Sequence, residues 1–99
     1  MELLIRLTED ITSSLDLTSG DTVILGRDSD RCQFVVLDSR VSQQHCKFSV
    51  SGDKLWVEDL NSTNGTFVNG ERVSTALVSP GDEIRLGNCR IEVRAAIPG

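Results

Sequence analysis

The residues best suited to chemistry are polar side chains in loops between strand-like runs. Arg27 follows Gly26 directly after the apolar run at 22–25. Its guanidinium is planar and permanently charged, so it can present a fork to a phosphate or carboxylate, and Gly26 would let the chain turn sharply to present it. Taken alone, an Arg at the position of Arg27 is more often an ordinary solvated loop charge, and Arg40 in the next loop is by itself a surface charge.

Ser42 and His45 invite comparison with a nucleophile and its base. They lie three residues apart at a loop-to-strand junction, and no carboxylate is marked by its spacing as an orienting third member. Cys46 is no better placed than Ser42 to act as a nucleophile with His45, because it is the next residue in the strand and adjacent strand residues point to opposite faces. We therefore interpret His45 as a structural histidine that ties loops together, and we expect no catalytic residue, bound metal or cofactor.

The stretch Asp59–Gly70 reads DLNSTNGTFVNG and is rich in residues that form turns. Glycine adopts positive φ without a clash, and Asn and Ser bond their own backbone. A strand-like island at 66–68 lies between two Asn-Gly pairs, which predicts a loop, a short strand and a tight turn. Thr63 offers a hydroxyl, Asn64 offers an amide and Gly65 permits close backbone approach, although a satisfied turn explains them equally well.

Composition limits the possible partners. Ninety-nine residues suffice for one domain with a modest core, which we place at residues 1–95, followed by a frayed end at 96–99. The net charge of −5 argues against a nucleic-acid or anionic-membrane surface. It leaves room for a local anion site, because a few Arg side chains and backbone N–H groups can hold one phosphate.

The cysteines and the hydropathy pattern bear on the compartment. Three widely spaced cysteines fit neither a disulfide framework nor a zinc site, so we expect inert or partly buried thiols and an intracellular, reducing compartment. The sequence shows no signal-peptide pattern and no apolar run long enough to cross a membrane, so membrane insertion is not expected.

Short alternating runs predict an all-β fold. No window of helical length has apolar residues at three-to-four spacing, so two sheets must bury each other as an antiparallel β-sandwich of ten or eleven strands. The predicted strands lie near 2–8, 11–17, 22–25, 34–37, 45–51, 55–58, 66–68, 71–74, 76–78, 83–86 and 90–94.

The strand pattern alone does not bring the candidate residues together. One predicted strand, 34–37, separates the loop of Arg27 from the loop of Ser42. If every connection were a simple hairpin, these two loops would lie at opposite ends of the sandwich. A crossing between sheets or a strand-edge position is needed to join them.

Four motifs, in this order and spacing, resemble a forkhead-associated (FHA) domain. They are Leu25-Gly26-Arg27, Ser42-x-x-His45, Asp59-Leu60-x-Ser62-x-Asn64-Gly65-Thr66-x-x-Asn69-Gly70, and Gly81-Asp82 before Ile84. The resemblance covers about residues 25–93. It implies an eleven-stranded β-sandwich that binds phosphothreonine peptides through loops at one end.

The resemblance also implies roles for individual residues. Arg27 and Ser42 would hold the phosphate, and Thr63 would add a hydroxyl or backbone contact. Asn64 would bond the peptide backbone, together with Gln43, where the family often has Asn.

The remaining implied roles concern support and sequence preference. Gly26, His45 and Gly65 would shape the loops. Arg40 matches a position that in some members reads the third residue after the phosphothreonine, which would favour an acidic residue there. The expected function is thus a non-enzymatic phosphothreonine-recognition module in a Ser/Thr kinase pathway. The alternative is a sandwich used as a phosphate-independent docking or oligomerisation surface within a larger complex.

Overall fold

The computed structural model describes residues 1–95, and these residues form eleven strands and no helix. The strands are β1 (Glu2–Arg6), β2 (Thr12–Asp16), β3 (Thr22–Gly26), β4 (Phe34–Val35), β5 (Cys46–Ser51), β6 (Lys54–Asp59), β7 (Thr66–Val68), β8 (Glu71–Val73), β9 (Thr75–Val78), β10 (Glu83–Leu86) and β11 (Cys89–Arg94). The predicted all-β class is confirmed. The predicted frayed end at 96–99 lies outside the described residues.

Two sheets pack face to face around an aliphatic core. The six-stranded sheet has the order β2-β1-β11-β10-β7-β8, and the five-stranded sheet has the order β4-β3-β5-β6-β9. Alternation along the strands explains the packing, since Leu3 and Ile5 in β1 and Ile91 and Val93 in β11 are buried while their neighbours face outward. Phe48 is the largest fully buried side chain. Burial of each such side chain contributes roughly 1.5–3 kcal/mol.

The short strand β4 decides where the loops meet. It pairs in parallel with the end of β3, with Leu25 opposite Phe34, whereas β3 and β5 are antiparallel. The chain therefore folds back on itself between these two strands, and it leaves β4 from the same end at which it left β3. The predicted strand at 34–37 is wrong in its length, because Leu37 is 88% exposed beyond the two-residue pairing.

The two Asn-Gly pairs do different work in the fold. Asn69 and Gly70, with φ of 50° and 87°, form the predicted tight turn between β7 and β8. Asn64 and Gly65 instead lie in the loop that crosses from the five-stranded sheet to the six-stranded sheet, and Gly65 has a φ of 94°. One pair thus closes a hairpin, and the other shapes a loop between sheets.

All three cysteines are buried and unpaired, as expected from their spacing. Burial raises the pKa of each thiol, to about 12 for Cys89. No helix among the described residues is long and apolar enough to cross a membrane.

Candidate functional site

Three loops meet at one end of the five-stranded sheet: 27–33, 36–45 and 60–65. The register explains the meeting, because Leu25 near the end of β3 lies opposite Cys46 at the start of β5, which lies opposite Asp59 at the end of β6. The sandwich thus gathers segments that are far apart in the sequence.

Backbone hydrogen bonds join the first two loops. The Arg27 N–H donates to the Ser42 carbonyl at 3.1 Å, and the Asp28 N–H donates to the Gln43 carbonyl at 3.1 Å. Gly26 is buried beneath this junction, where an added Cβ would lie 2.1 Å from the Gln43 carbonyl oxygen. Close approach of the two backbones, and not a left-handed conformation, is therefore what requires glycine at this position.

His45 lies between the second and third loops and is fully buried. Its Nδ1 accepts the Ser42 N–H at 3.0 Å, so Nε2 carries the proton and donates to the Gly65 carbonyl at 2.8 Å. Its backbone N–H donates to the Leu25 carbonyl, and its carbonyl accepts the Leu60 N–H. The structure thus places His45 as a tie between loops. Because neither ring nitrogen is left for the Ser42 hydroxyl, the pair is not built as a nucleophile and base.

An Asp-centred cluster holds the third loop. The Asp59 carboxylate accepts bonds from the Ser62 N–H at 3.1 Å, the Ser62 hydroxyl at 2.5 Å and the Thr66 hydroxyl at 2.8 Å. Ser62 in turn accepts the Gly65 N–H at 3.0 Å. Partial burial alone would raise the pKa of Asp59, but these hydrogen bonds lower it below its usual value.

Sequence reasoning assigned no role to Asp59, Ser62 or Thr66. The available signal was the Asp-x-x-Ser spacing, which is typical of a side chain that caps its own turn. Only the structure shows that the same carboxylate also reaches Thr66, seven residues away, at the start of β7.

The outward-facing groups of the three loops include Arg27, Ser42 and Thr63. Arg27 is exposed, and its Nε donates to the Val41 carbonyl, which fixes the guanidinium beside the second loop. The Ser42 Oγ accepts the Thr63 N–H at 3.1 Å, so the Ser42 hydroxyl proton is available to another acceptor. Within residues 1–95, the Arg27 Nη groups have no carboxylate within 4.0 Å.

The other predicted binding residues lie on the rim. The Asn64 amide donates to the Arg40 carbonyl at 2.9 Å, which leaves its side-chain oxygen outward. The Gln43 side chain is exposed, whereas its carbonyl is held by Asp28. The Arg40 guanidinium donates to the Asn88 Oδ1 at 2.8 Å.

Asp38 anchors this rim from below. Its carboxylate accepts the Arg40 N–H at 2.9 Å and the Asn88 N–H at 2.8 Å, and these bonds lower the pKa of Asp38. The two-residue turn between β10 and β11 is thereby joined to the second loop. An added Cβ on Gly87 would lie 2.9 Å from the Asp38 carboxylate, so the approach here is close as well.

The assembled groups are suited to binding an anion. Arg27 contributes a fixed positive charge, and Ser42 and Thr63 contribute small hydroxyl donors held in place by hydrogen bonds between their loops. Charge-assisted bonds from such donors to a phosphate are stronger than neutral ones. No group of three or more His, Cys, Asp or Glu side chains in the described part of the chain is arranged to hold a metal ion.

Comparisons with known proteins agree with this geometry. The family model described as FHA domain matches residues 23–87. FHA domain-containing protein FhaB of Mycobacterium tuberculosis is 37% identical over 85 residues, which is 85% of this chain and 54% of FhaB, so the chain spans about half of that relative.

Solved structures show the same similarity. The FhaA FHA domain, in a crystal structure with the intracellular domain of Rv3910, is 36% identical and superposes with a TM-score of 0.83, covering 94% of this chain and 98% of that chain. A second FHA domain, from a study of phosphothreonine-dependent FHA interactions, is 35% identical with a TM-score of 0.85 and covers 99% of this chain and 100% of that one.

Proposed function

Because the chain belongs to the forkhead-associated family, whose domains are phosphopeptide-recognition modules of Ser/Thr kinase signalling, we propose that its loop end binds phosphothreonine segments of partner proteins. The observation that carries this proposal is the linkage of Arg27, Ser42 and Thr63. The Arg27 N–H and the Thr63 N–H both donate to Ser42, so three distant segments present their polar groups together.

In the proposed complex, Arg27 and Ser42 hold the phosphate and Thr63 adds a third donor. A phosphate carries about −1.5 to −2 charges at neutral pH and offers several acceptor oxygens. The Arg27 Nη groups meet this charge, and the Ser42 hydroxyl proton is available to a phosphate oxygen. Because Thr63 is already held by Ser42, little loop ordering remains to be done on binding.

The peptide backbone and the residues after the phosphothreonine would be read at the rim. Asn64 is held by the Arg40 carbonyl, so its side-chain oxygen can accept a peptide N–H. Gln43 extends an amide from the neighbouring loop. Arg40 would meet an acidic residue at the third position after the phosphothreonine by exchanging its bond to Asn88 for a charge-assisted one.

The proposal is one of binding without turnover. His45 is committed to the Ser42 N–H and the Gly65 carbonyl, which supports a structural role for it and a non-enzymatic module with no cofactor. The unpaired buried thiols support a reducing intracellular compartment, where Ser/Thr kinases supply the ligand.

A degenerate phosphothreonine peptide array, run beside its unphosphorylated version, tests the proposal. We expect binding only to phosphorylated spots, with a best affinity near micromolar, about −8 kcal/mol. The matching phosphoserine peptide should bind about fourfold more weakly, because one buried methyl group is worth roughly 0.8 kcal/mol. Binding that survives phosphatase treatment would support the phosphate-independent docking surface instead.

The variant Arg27→Ala should abolish detectable peptide binding, while its melting temperature stays within a few degrees of the wild-type value. The matched control is Arg31→Ala, which removes an exposed Arg from the same loop that already faces Asp28 at 3.4 Å. Retained affinity in Arg27→Ala, or equal loss in both variants, would contradict the proposed phosphate site.

A further inference from the structure

The outer face of the six-stranded sheet carries arginines directly opposite one another on neighbouring strands. Arg6 in β1 lies opposite Arg90 in β11, and Arg90 lies opposite Arg85 in β10. All three side chains are exposed, whereas the residues that flank them in the strands are buried. We call Arg6, Arg90 and Arg85 the arginine row.

The arginine row lowers the stability of the isolated domain. Adjacent strands lie about 4.8 Å apart, and like charges placed directly opposite each other destabilise a sheet. Glu92 lies 4.0 Å from Arg6, but no carboxylate of residues 1–95 lies within 4.0 Å of Arg85 or Arg90. An acidic chain with only ten Lys and Arg residues thus places three of them side by side.

A cleft lies between two arginines of the row and the second loop, which carries part of the proposed phosphopeptide site. Its volume is about 730 Å³, and Arg6 and Arg90 line it on the side of the row. On the other side it is lined by Leu37, Asp38 and Asn88, of which Asn88 accepts the bond from Arg40. Leu37 is 88% exposed there, although it is a large apolar side chain.

Positive charge beside the cleft favours an anionic occupant. Within the lining, Glu9 and Asp38 offset Arg6 and Arg90, but Arg85 in the row and Arg40, which bonds Asn88 of the lining, add two further positive charges. On the same face, Glu83 lies opposite Glu92 in the next row, which would repel an acidic ligand toward the arginine row. The guanidinium groups, by contrast, match carboxylate geometry.

We propose that the arginine row binds an acidic segment of the partner that follows the phosphothreonine and reaches the row through this cleft. The inference rests on the proposed function, because Arg40, which bonds Asn88 in the lining of the cleft, is assigned to the third residue after the phosphothreonine. From Arg6 to Arg85 the row spans two strand spacings, roughly 10 Å, which about three residues of extended peptide cover. A segment with acidic residues just beyond the third position therefore fits, and an apolar residue before them would cover Leu37.

Two phosphothreonine peptides of one array-selected sequence test the inference. One carries the C-terminal tail Glu-Ser-Glu-Ser-Glu, and the other carries Gln-Ser-Gln-Ser-Gln. We expect the Glu tail to tighten binding about tenfold at low ionic strength and the gain to shrink at high salt, because exposed pairs are weak and screened.

The double variant Arg85→Gln/Arg90→Gln should lose this gain and bind the Gln-tailed peptide like the wild type. Its melting temperature should equal or exceed the wild-type value, since the opposed charges are gone. The control Lys47→Gln/Lys54→Gln changes the net charge equally but lies on the five-stranded sheet, away from the row, so it should keep the gain.

The outcomes separate the two proposals. If the Gln-tailed phosphopeptide does not bind, the proposed function is wrong and the inference falls with it. If that peptide binds but the Glu tail adds nothing, or its gain survives in Arg85→Gln/Arg90→Gln, the inference alone is wrong. The inference is also overturned if the arginine row binds anionic lipid vesicles instead. A dimer that forms through the row as the protein concentration rises would overturn it as well, although the charged side chains of the row disfavour such an interface.

Discussion

The two ends of the sandwich are built differently. At the site end, the bonds that hold the loops connect distant segments: Ser42 to Thr63, His45 to Gly65 and Asp38 to Asn88. At the opposite end, aspartates close their own turns, with Asp21 accepting the Thr18 N–H and Asp82 accepting the Ser79 N–H, each three residues away. Two bonds between turns are added there, from the Gly52 N–H to the Ser19 hydroxyl and from the Asn69 amide to Asp82. Bonds between loops thus assemble a surface at the site end, whereas at the opposite end they supplement turns that close on themselves.

The contrast explains how one end can present polar groups to a ligand. The turns at the opposite end are not crowded by their neighbours, since an added Cβ on Gly20 or Gly52 would meet nothing within 4 Å. A loop held by other loops keeps its outward donors in place, but it depends on close contacts such as Gly26 against Gln43. Substitutions at the site end should therefore lower the free energy of unfolding more than comparable substitutions at the opposite end.

Glycine substitutions should show the largest difference. Gly26→Ala places a Cβ 2.1 Å from the Gln43 carbonyl oxygen and should destabilise the fold by about 4 kcal/mol, because backbone on both sides must move. Gly20→Ala meets only the strain of its φ of 94°, about 1–2 kcal/mol. Urea unfolding of both variants measures the difference, and similar midpoints would refute the contrast.

Removal of the buried imidazole of His45 should cause the second-largest loss of stability. His45→Ala leaves the Ser42 N–H and the Gly65 carbonyl without their partner and should destabilise the fold by about 3 kcal/mol. The denaturant midpoint checks the loss of stability. An unchanged midpoint would show that His45 is not the tie that the hydrogen bonds indicate.

Asp59 and Asp21 provide a matched pair of carboxylates with smaller effects. Asp59→Asn should cost about 1–2 kcal/mol, because the acceptor shared by Ser62 and Thr66 is weakened, whereas Asp21→Asn should cost less than about 1 kcal/mol. Equal losses in the two variants would indicate that the cluster contributes no more than a local turn.

The smallest expected effect is the change with pH in the stability that Asp59 contributes to the fold. Its native pKa is lowered, so the unfolded chain takes up the proton first as pH falls. Its contribution is complete above the ordinary carboxyl pKa of about 3.9 and is lost as pH falls through the lower native value. The stability gap between the wild type and Asp59→Asn, measured from pH 7 to pH 2, should therefore narrow only at the acid end.

Much of the strand pattern was predictable because it depends on local properties. Alternation of apolar and polar residues located each strand to within a few positions, and the second Asn-Gly pair located the turn between β7 and β8. The order and spacing of the motifs identified the family, as the comparisons confirm. Each strand, each turn and each single motif is contained in a few consecutive residues.

The meeting of the loops was not predictable from the residues, because it depends on the pairing of β4. A two-residue strand carries almost no signal in a sequence, yet its parallel pairing with β3 sends the second loop to the same end as the first. The links of Asp59 to Thr66 and of Asp38 to Asn88 were hidden for a similar reason, since a carboxylate does not reveal which distant donor it will accept.

The sequence alone therefore determined the strands, the tight turns and the residue types available for binding a phosphate. Tertiary structure decided which of those residues meet, because hydrogen bonds between loops join residues up to 50 positions apart and the register of neighbouring strands places Glu2 opposite Arg94. The arginine row follows the same principle, since Arg6, Arg85 and Arg90 become neighbours only when β1, β10 and β11 pair.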